Sequence, residues 1–167
     1  QVGMLRAMVA RGERPDMVVG CSVGSLNALA VAADPTPAGM EVLRDEWVSI
    51  DGGGRFPASR FSGPWQLLRK GPSLYPNSGL RQLVERCAPH ERFEEYPVPF
   101  QCVATNLATG LSKWFDHGPV VDAVLASAAL PAAFPPVPIH GELYIDGAVT
   151  DNVPMSRALR LGADRIV

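Results

Sequence analysis

One pentapeptide, Gly20-Cys21-Ser22-Val23-Gly24, restricts this chain more than any other stretch. The β-formers Met17-Val18-Val19 precede it, the alanine-rich run from Leu26 to Ala33 follows it, and no charged residue falls between Met17 and Ala33. That pattern predicts a strand, a tight turn and a helix. Such a turn lifts a serine hydroxyl into the open at the mouth of a sheet, and the flanking glycines leave room where a side chain would meet neighbouring backbone. The helix starting beneath Ser22 offers unpaired N–H groups and the positive end of its dipole, a setting that favours an oxyanion. Ser22 is therefore a candidate nucleophile, with Gly20, Val23 and Gly24 forming its elbow. The competing reading is a Gly-rich turn that merely packs, or cradles an anion.

Composition narrows the partners. With 15 basic against 17 acidic residues and no basic stripe, nucleic acid has no electrostatic footprint to bind. The three cysteines, Cys21, Cys87 and Cys102, are odd in number and widely spaced. They fit neither a disulfide framework nor a zinc site; no metal or cofactor is expected, and a reducing compartment is. Cys21 reads as a small buried filler within the elbow. At 167 residues and 47% hydrophobic, the chain suffices for one packed domain. No stretch approaches the length of a membrane span, and the expected location is cytoplasmic or membrane-peripheral. The chain opens at Gln1 with Leu5, Met8 and Val9 already on one helical face, and closes on Arg165-Ile166-Val167, which reads as the start of a strand. The expectation is a single domain over 1–167 that is incomplete at both ends.

Taken in order, residues 2–11 read as a helix ending near Gly12, and 38–50 as another with Met40, Leu43, Trp47 and Ile50 on its core side. Asp51 to Pro76 is Gly-, Pro- and Ser-rich, a long loop of the kind that forms lids or binding segments. Asn77 or Ser78 is placed to cap a helix carrying Leu80, Leu83, Val84 and Cys87. Phe100 to Phe115 has a period of two broken by Ala108-Thr109-Gly110, which predicts a hairpin. A small-residue helix follows from Val120 to Ala129, stopped by Leu130-Pro131; a second hairpin is expected around His140-Gly141-Glu142, and Pro154 opens a last helix ending at Gly162. Strands alternating with helices predict an α/β fold, an α/β/α sandwich on a mixed sheet.

A serine hydroxyl needs a neighbour to take its proton. His140 is the last of the three histidines and fits the usual chain order of a triad, although it and His117 both read as solvated turn residues. His90 sits after Pro89 at a helix end. Asp146 ends the apolar run Leu143-Tyr144-Ile145 and is followed by Gly147, so its carboxylate would leave a strand end with little beside it. Asp146-Gly147 is equally a common hairpin turn, and on the dipeptide alone both readings stand.

Beyond these separate signals, Gly20-Cys21-Ser22-Val23-Gly24-Ser25-Leu26-Asn27, Ala126-Ser127-Ala128-Ala129-Leu130-Pro131 with Phe134-Pro135-Pro136, then Asp146-Gly147-Ala148 and Asn152-Val153-Pro154 resemble, in order, the patatin-like phospholipase family, its bacterial members in particular. The resemblance implies a three-layer α/β/α sandwich with a mixed, mainly parallel central sheet. It also implies a serine lipid acyl hydrolase with a Ser-Asp dyad. Ser22 matches the family's nucleophile and Asp146 the aspartate of its D-G-[GA] motif, while Ala126 to Pro136 would help to shape an acyl pocket. The implied partners are a lipid or ester substrate and a transient membrane surface. The family also carries a glycine-rich oxyanion loop ahead of its first helix, a loop the 167 residues lack; each oxyanion donor lost typically costs about a hundredfold or more in turnover, so this stretch alone is expected to be nearly inactive. Two other readings stay in view: a Ser-His acyltransferase or thioesterase based on His117 or His140, and a lipid-binding module without turnover.

Overall fold

The computed structural model describes residues 1–52, 73 and 75–167, without the side chains of residues 50–52. The expected long loop, 51–76, falls mostly outside the described residues. In chain order the elements are α1 (Val2–Ala10), β1 (Val18–Cys21), α2 (Val23–Ala33), α3 (Pro37–Gly52), α4 (Ser78–Cys87), β2 (Phe100–Asn106), β3 (Ser112–Phe115), α5 (Val120–Ser127), β4 (Val137–Ile139), β5 (Glu142–Asp146), α6 (Ala148–Asp151) and α7 (Met155–Arg160).

β2 is the hub of the sheet. Its first half pairs in parallel with β1, Val18↔Phe100 through Cys21↔Val103, and its second half pairs antiparallel with β5, from Ala104↔Asp146 to Asn106↔Tyr144. β3 spans both halves, Cys102↔Phe115 to Thr105↔Ser112, and so takes the opposite edge of β2, while β4 extends the sheet beyond β5. The sheet is mixed as expected, but among the described residues one pairing is parallel and three are antiparallel, not mainly parallel. The connections account for two of the antiparallel pairs, because the turns at Ala108-Thr109-Gly110 and His140-Gly141 are too short for anything but hairpins; the third, β2 with β5, joins strands separated by β3, α5 and β4.

Alternation along β2 places helices on both faces. Phe100, Cys102 and Ala104 point into a core shared with Leu26 and Leu29 of α2, Leu83 and Val84 of α4 and Val124 of α5. On the other face, Gln101 Oε1 accepts from Arg157 Nε at 2.9 Å and the Thr105 and Thr150 hydroxyls are 3.0 Å apart, so α6 and α7 cover that side. Arg157 also lies 5.1 Å from the Trp114 ring centre. α2 is buried nearly all round, from Ser25 to Leu29 and again at Val31 and Ala32. Its Val31 closes a smaller core with Val9, Met40 and Leu43, the positions expected to face inward on α1 and α3. A helix enclosed over most of its surface has little place for charge, which accounts for the uncharged run from Leu26 to Ala33.

Three local expectations are corrected. Asn77 occupies the N-cap of α4 without capping it, because its Nδ2 donates to the Pro135 carbonyl at 3.1 Å. Arg165 to Val167 is not a strand; no described strand edge pairs with it, and Arg165 instead ion-pairs with Glu13 at 3.1 Å. α5 ends at Ser127 rather than Ala129, since the carbonyls just past its end bind another segment. No helix among the described residues is long and apolar enough to cross a membrane.

Candidate active site

The register of β2 determines what meets at the site. β1 and β5 run towards each other along one edge of β2, and their last residues, Cys21 and Asp146, pair with the adjacent residues Val103 and Ala104. The next residue after β1 is Ser22. Residues 124 apart in sequence are thereby joined, and Ser22 Oγ donates to Asp146 Oδ2 at 2.5 Å.

Ser22 has φ +54° and ψ −127°, backbone that an L-residue adopts only at a cost of about 1–3 kcal/mol. The strain is held from three sides. Its N–H donates to Ser127 Oγ at 3.1 Å, and its carbonyl accepts from the Ser25 N–H at 2.9 Å and from Ser25 Oγ at 2.5 Å. Gly20 is obligatory, because a Cβ there would lie 2.5 Å from Ser25 Cα and 2.8 Å from the Gly24 carbonyl oxygen. Gly24 departs from the expected steric need: its Cβ would meet nothing nearer than Gln1 Nε2 at 3.9 Å, since it faces away from the strand and into open space. Val23, the first residue of α2, is 48% exposed beside the hydroxyl. No side chain caps α2, and the first N–H groups of a helix have no acceptor within it, so those of Val23 and Gly24 are free of intrahelical partners.

Asp146 is fully buried, in contrast to the uncrowded strand end expected of it. Its carboxylate is divided between two donors, with Oδ2 facing Ser22 and Oδ1 accepting from the Ala148 N–H at 2.8 Å. Its carbonyl accepts from Thr105 Oγ1 at 3.0 Å and its N–H donates to the Ala129 carbonyl at 2.9 Å. Gly147 therefore serves a different purpose from clearing space around the carboxylate. It lets the chain lie against β2, where a Cβ would come 2.3 Å from the Val103 carbonyl oxygen.

The histidines lie elsewhere. His140 is exposed in the β4–β5 turn at φ +51°, His117 is exposed with Nδ1 2.6 Å from Asp116 Oδ1, and His90 packs edge-on against Tyr96. None of them bonds to Ser22 or Asp146. A cleft of about 220 Å³ next to Val23 is lined by Gln1, Val2, Val23, Asn27 and Trp47. Asn27 orders it, with Nδ2 donating to Gln1 Oε1 at 2.5 Å and Oδ1 accepting from Trp47 Nε1 at 2.8 Å. Residues 126–136 do not line this cleft, and the start of that segment binds the backbones on either side of the site. The individual roles of Ser127, Ala148 and Thr105 were not foreseen in the sequence, where Ser127 and Ala148 stood only as members of the motifs Ala126-Ser127-Ala128-Ala129-Leu130-Pro131 and Asp146-Gly147-Ala148.

Cys21, beside Ser22, is buried, and burial together with the negative charge of Asp146 and Asp151 pushes its thiol up to about 12. Burial also raises the Cys102 thiol. Since the thiolate is the reactive species, iodoacetamide at pH 8 should leave both unmodified in the folded protein and modify them after denaturation, as read by intact mass and peptide mapping. Rapid alkylation of Cys21 in the native state would contradict this packing. Among the described residues no cluster of His, Cys, Asp and Glu could hold a metal ion.

The model of the Patatin family, described as patatin-like phospholipase, matches residues 1–159. An uncharacterized NTE family protein of Mycobacterium tuberculosis is 39% identical over 71 residues, which make up 42% of this chain and 20% of that protein. A lysophospholipase of Mycosarcoma maydis is 26% identical over 97% of this chain and 8% of its own length. A patatin-like phospholipase domain-containing protein of Caenorhabditis elegans is 25% identical over 99% of this chain and 12% of its own. The matched stretches thus cover at most a fifth of the length of these relatives.

Proposed function

The chain belongs to the patatin-like phospholipase family, and from that premise we propose that it is a serine hydrolase cleaving fatty-acyl esters of phospholipids or acylglycerols through a Ser22–Asp146 dyad. The observation that carries this reading is the 2.5 Å hydrogen bond from Ser22 Oγ to Asp146 Oδ2, made by a hydroxyl on a strained strand-to-helix turn. Ser22 Oγ attacks the ester carbonyl as its proton passes to Asp146. The tetrahedral oxyanion forms over the N-terminus of α2, where the Val23 N–H and the helix dipole stabilise it. Collapse expels the alcohol, which takes the proton from Asp146, and leaves an acyl-enzyme. Asp146 then draws a proton from water, the hydroxide attacks the acyl carbonyl, and the fatty acid departs as the proton returns to Ser22.

Fungal relatives that are lysophospholipases support a phospholipid-derived substrate. Such substrates bring transient contact with a membrane surface, and a cytoplasmic or membrane-peripheral location accords with three free cysteines. A fluorophosphonate serine probe and a short-chain aryl ester test the reading together, on the chain with the family's strand and glycine-rich loop joined ahead of Gln1, which is the parent of every variant below. Ser22→Ala should abolish both labelling and hydrolysis, whereas His117→Ala and His140→Ala should hold turnover within about twofold, as exposed turn substitutions do. Loss with His140→Ala equal to that with Ser22→Ala would establish a Ser-His acyltransferase or thioesterase instead. A folded parent that neither labels nor turns over would be a binding module.

A further inference from the structure

We propose that Ser127 is a positioning residue that holds the nucleophile and the base at one separation, an inference that rests on the Ser22–Asp146 dyad proposed above. Ser127 is fully buried at the last position of α5. Its Oγ accepts the Ser22 N–H at 3.1 Å, and its own carbonyl accepts the N–H of Gly147, the residue after Asp146, at 3.3 Å. Two residues on, the Ala129 carbonyl accepts the Asp146 N–H at 2.9 Å. A single short segment thus bonds to the backbone of both members of the dyad from a third element of the fold.

Helix ends supply this bond pattern readily, because the last carbonyls of a helix have no intrahelical donor. The side chain is the less common part. The ladder between β1 and β2 ends at Cys21↔Val103, and α2 does not accept the N–H of its own N-cap, so Ser22 N–H turns to the Ser127 hydroxyl. That bond acts on a residue at φ +54°, a conformation that persists only where surrounding contacts over-determine it. Without it the elbow can rotate about Ser22, and the first thing displaced is the Oγ aimed at Asp146. Alanine at 127 would nearly match the volume, but it would leave the part-buried Ser22 N–H without its acceptor. Ser127 touches no reacting atom; it acts through the backbone of Ser22.

Ser127→Ala tests this, with every rate referred to the folded fraction measured by circular dichroism. The expected result is a fall in kcat and in the rate of phosphonate labelling of roughly tenfold to a hundredfold, with KM changed by less than about twofold, since a misaligned nucleophile slows chemistry without weakening binding. In an Asp146→Asn background the same change should add little, because the aligned pair is already lost. A lower melting temperature with an unchanged rate per folded molecule would overturn the inference, and so would losses that simply multiply in the double variant. Ser22→Ala separates the two levels. If it still reacts with the probe, the dyad reading itself fails; if it is inert while Ser127→Ala reacts at the parent rate, only the role of Ser127 fails.

Discussion

Asp146→Asn is expected to fold like the parent and to lose ester hydrolysis by about a thousandfold or more, the scale of removing an essential general base. The reason is the division of labour between its two oxygens. Ala148 N–H donates to Oδ1 at 2.8 Å and Ser22 Oγ donates to Oδ2 at 2.5 Å. An asparagine keeps its single carbonyl oxygen on the Ala148 N–H and turns its NH₂ towards Ser22, so a donor now faces the hydroxyl and nothing can take its proton. The flipped amide sets NH₂ against the Ala148 N–H in a fully buried position, a still worse arrangement. Steady-state kinetics on an aryl ester, with circular dichroism as the control for folding, measure the effect. A variant retaining more than about a tenth of parental turnover would mean that Asp146 orients Ser22 without serving as its base.

Gly147→Ala should produce a large loss of stability from the addition of a single methyl group beside the site. Gly147 has φ −65°, so the backbone accepts any residue and the penalty is purely steric. The new Cβ would stand 2.3 Å from the Val103 carbonyl oxygen and 2.7 Å from Val103 Cγ1. Relief requires β5 to part from β2 at the Ala104↔Asp146 pair, which moves Asp146 away from Ser22 at the same time. The expected cost is about 3 kcal/mol or more, or roughly 10 °C in melting temperature for a domain of this size, together with loss of hydrolysis. Gly24→Ala is the matched control, because the space beside it is open and its stability should stay within about 0.5 kcal/mol of the parent or rise with helix propensity. Equal melting temperatures for the parent and Gly147→Ala would show that β2 and β5 are not held as closely as this packing requires.

Much of the fold could be read locally. Positions with helical spacing on α1, α3 and α4 went to the core as expected, among them Val9, Met40, Leu43, Leu80, Leu83 and Val84, because burial of one apolar stripe is a property of a helix's own sequence. The alternation Phe100, Cys102, Ala104 marked the inner face of β2 for the same reason. Both hairpins were legible from their turns, whereas the direction in which β5 meets β2 was not. Nothing within β5 states that it runs antiparallel to β2, and the mainly parallel sheet implied by the family resemblance gave way to two hairpins set by short turns. Asn77 shows the same limit at the scale of one residue, since a good capping side chain took a distant carbonyl at Pro135 instead.

The site divides along the same line. By itself the sequence determined the strand–turn–helix around Ser22, the need for Gly20, and the two residues worth suspecting, because turn chemistry and glycine sterics act over a few neighbouring residues. Only the tertiary structure decided that Ser22 and Asp146 touch, that Gly24 is sterically free, that Gly147 packs against Val103, and that Ser127 binds both sides of the pair. These depend on where β1 and β5 end along β2. A register is a relation between strands far apart in the chain, fixed by the packing of the whole sheet and carried by no segment alone.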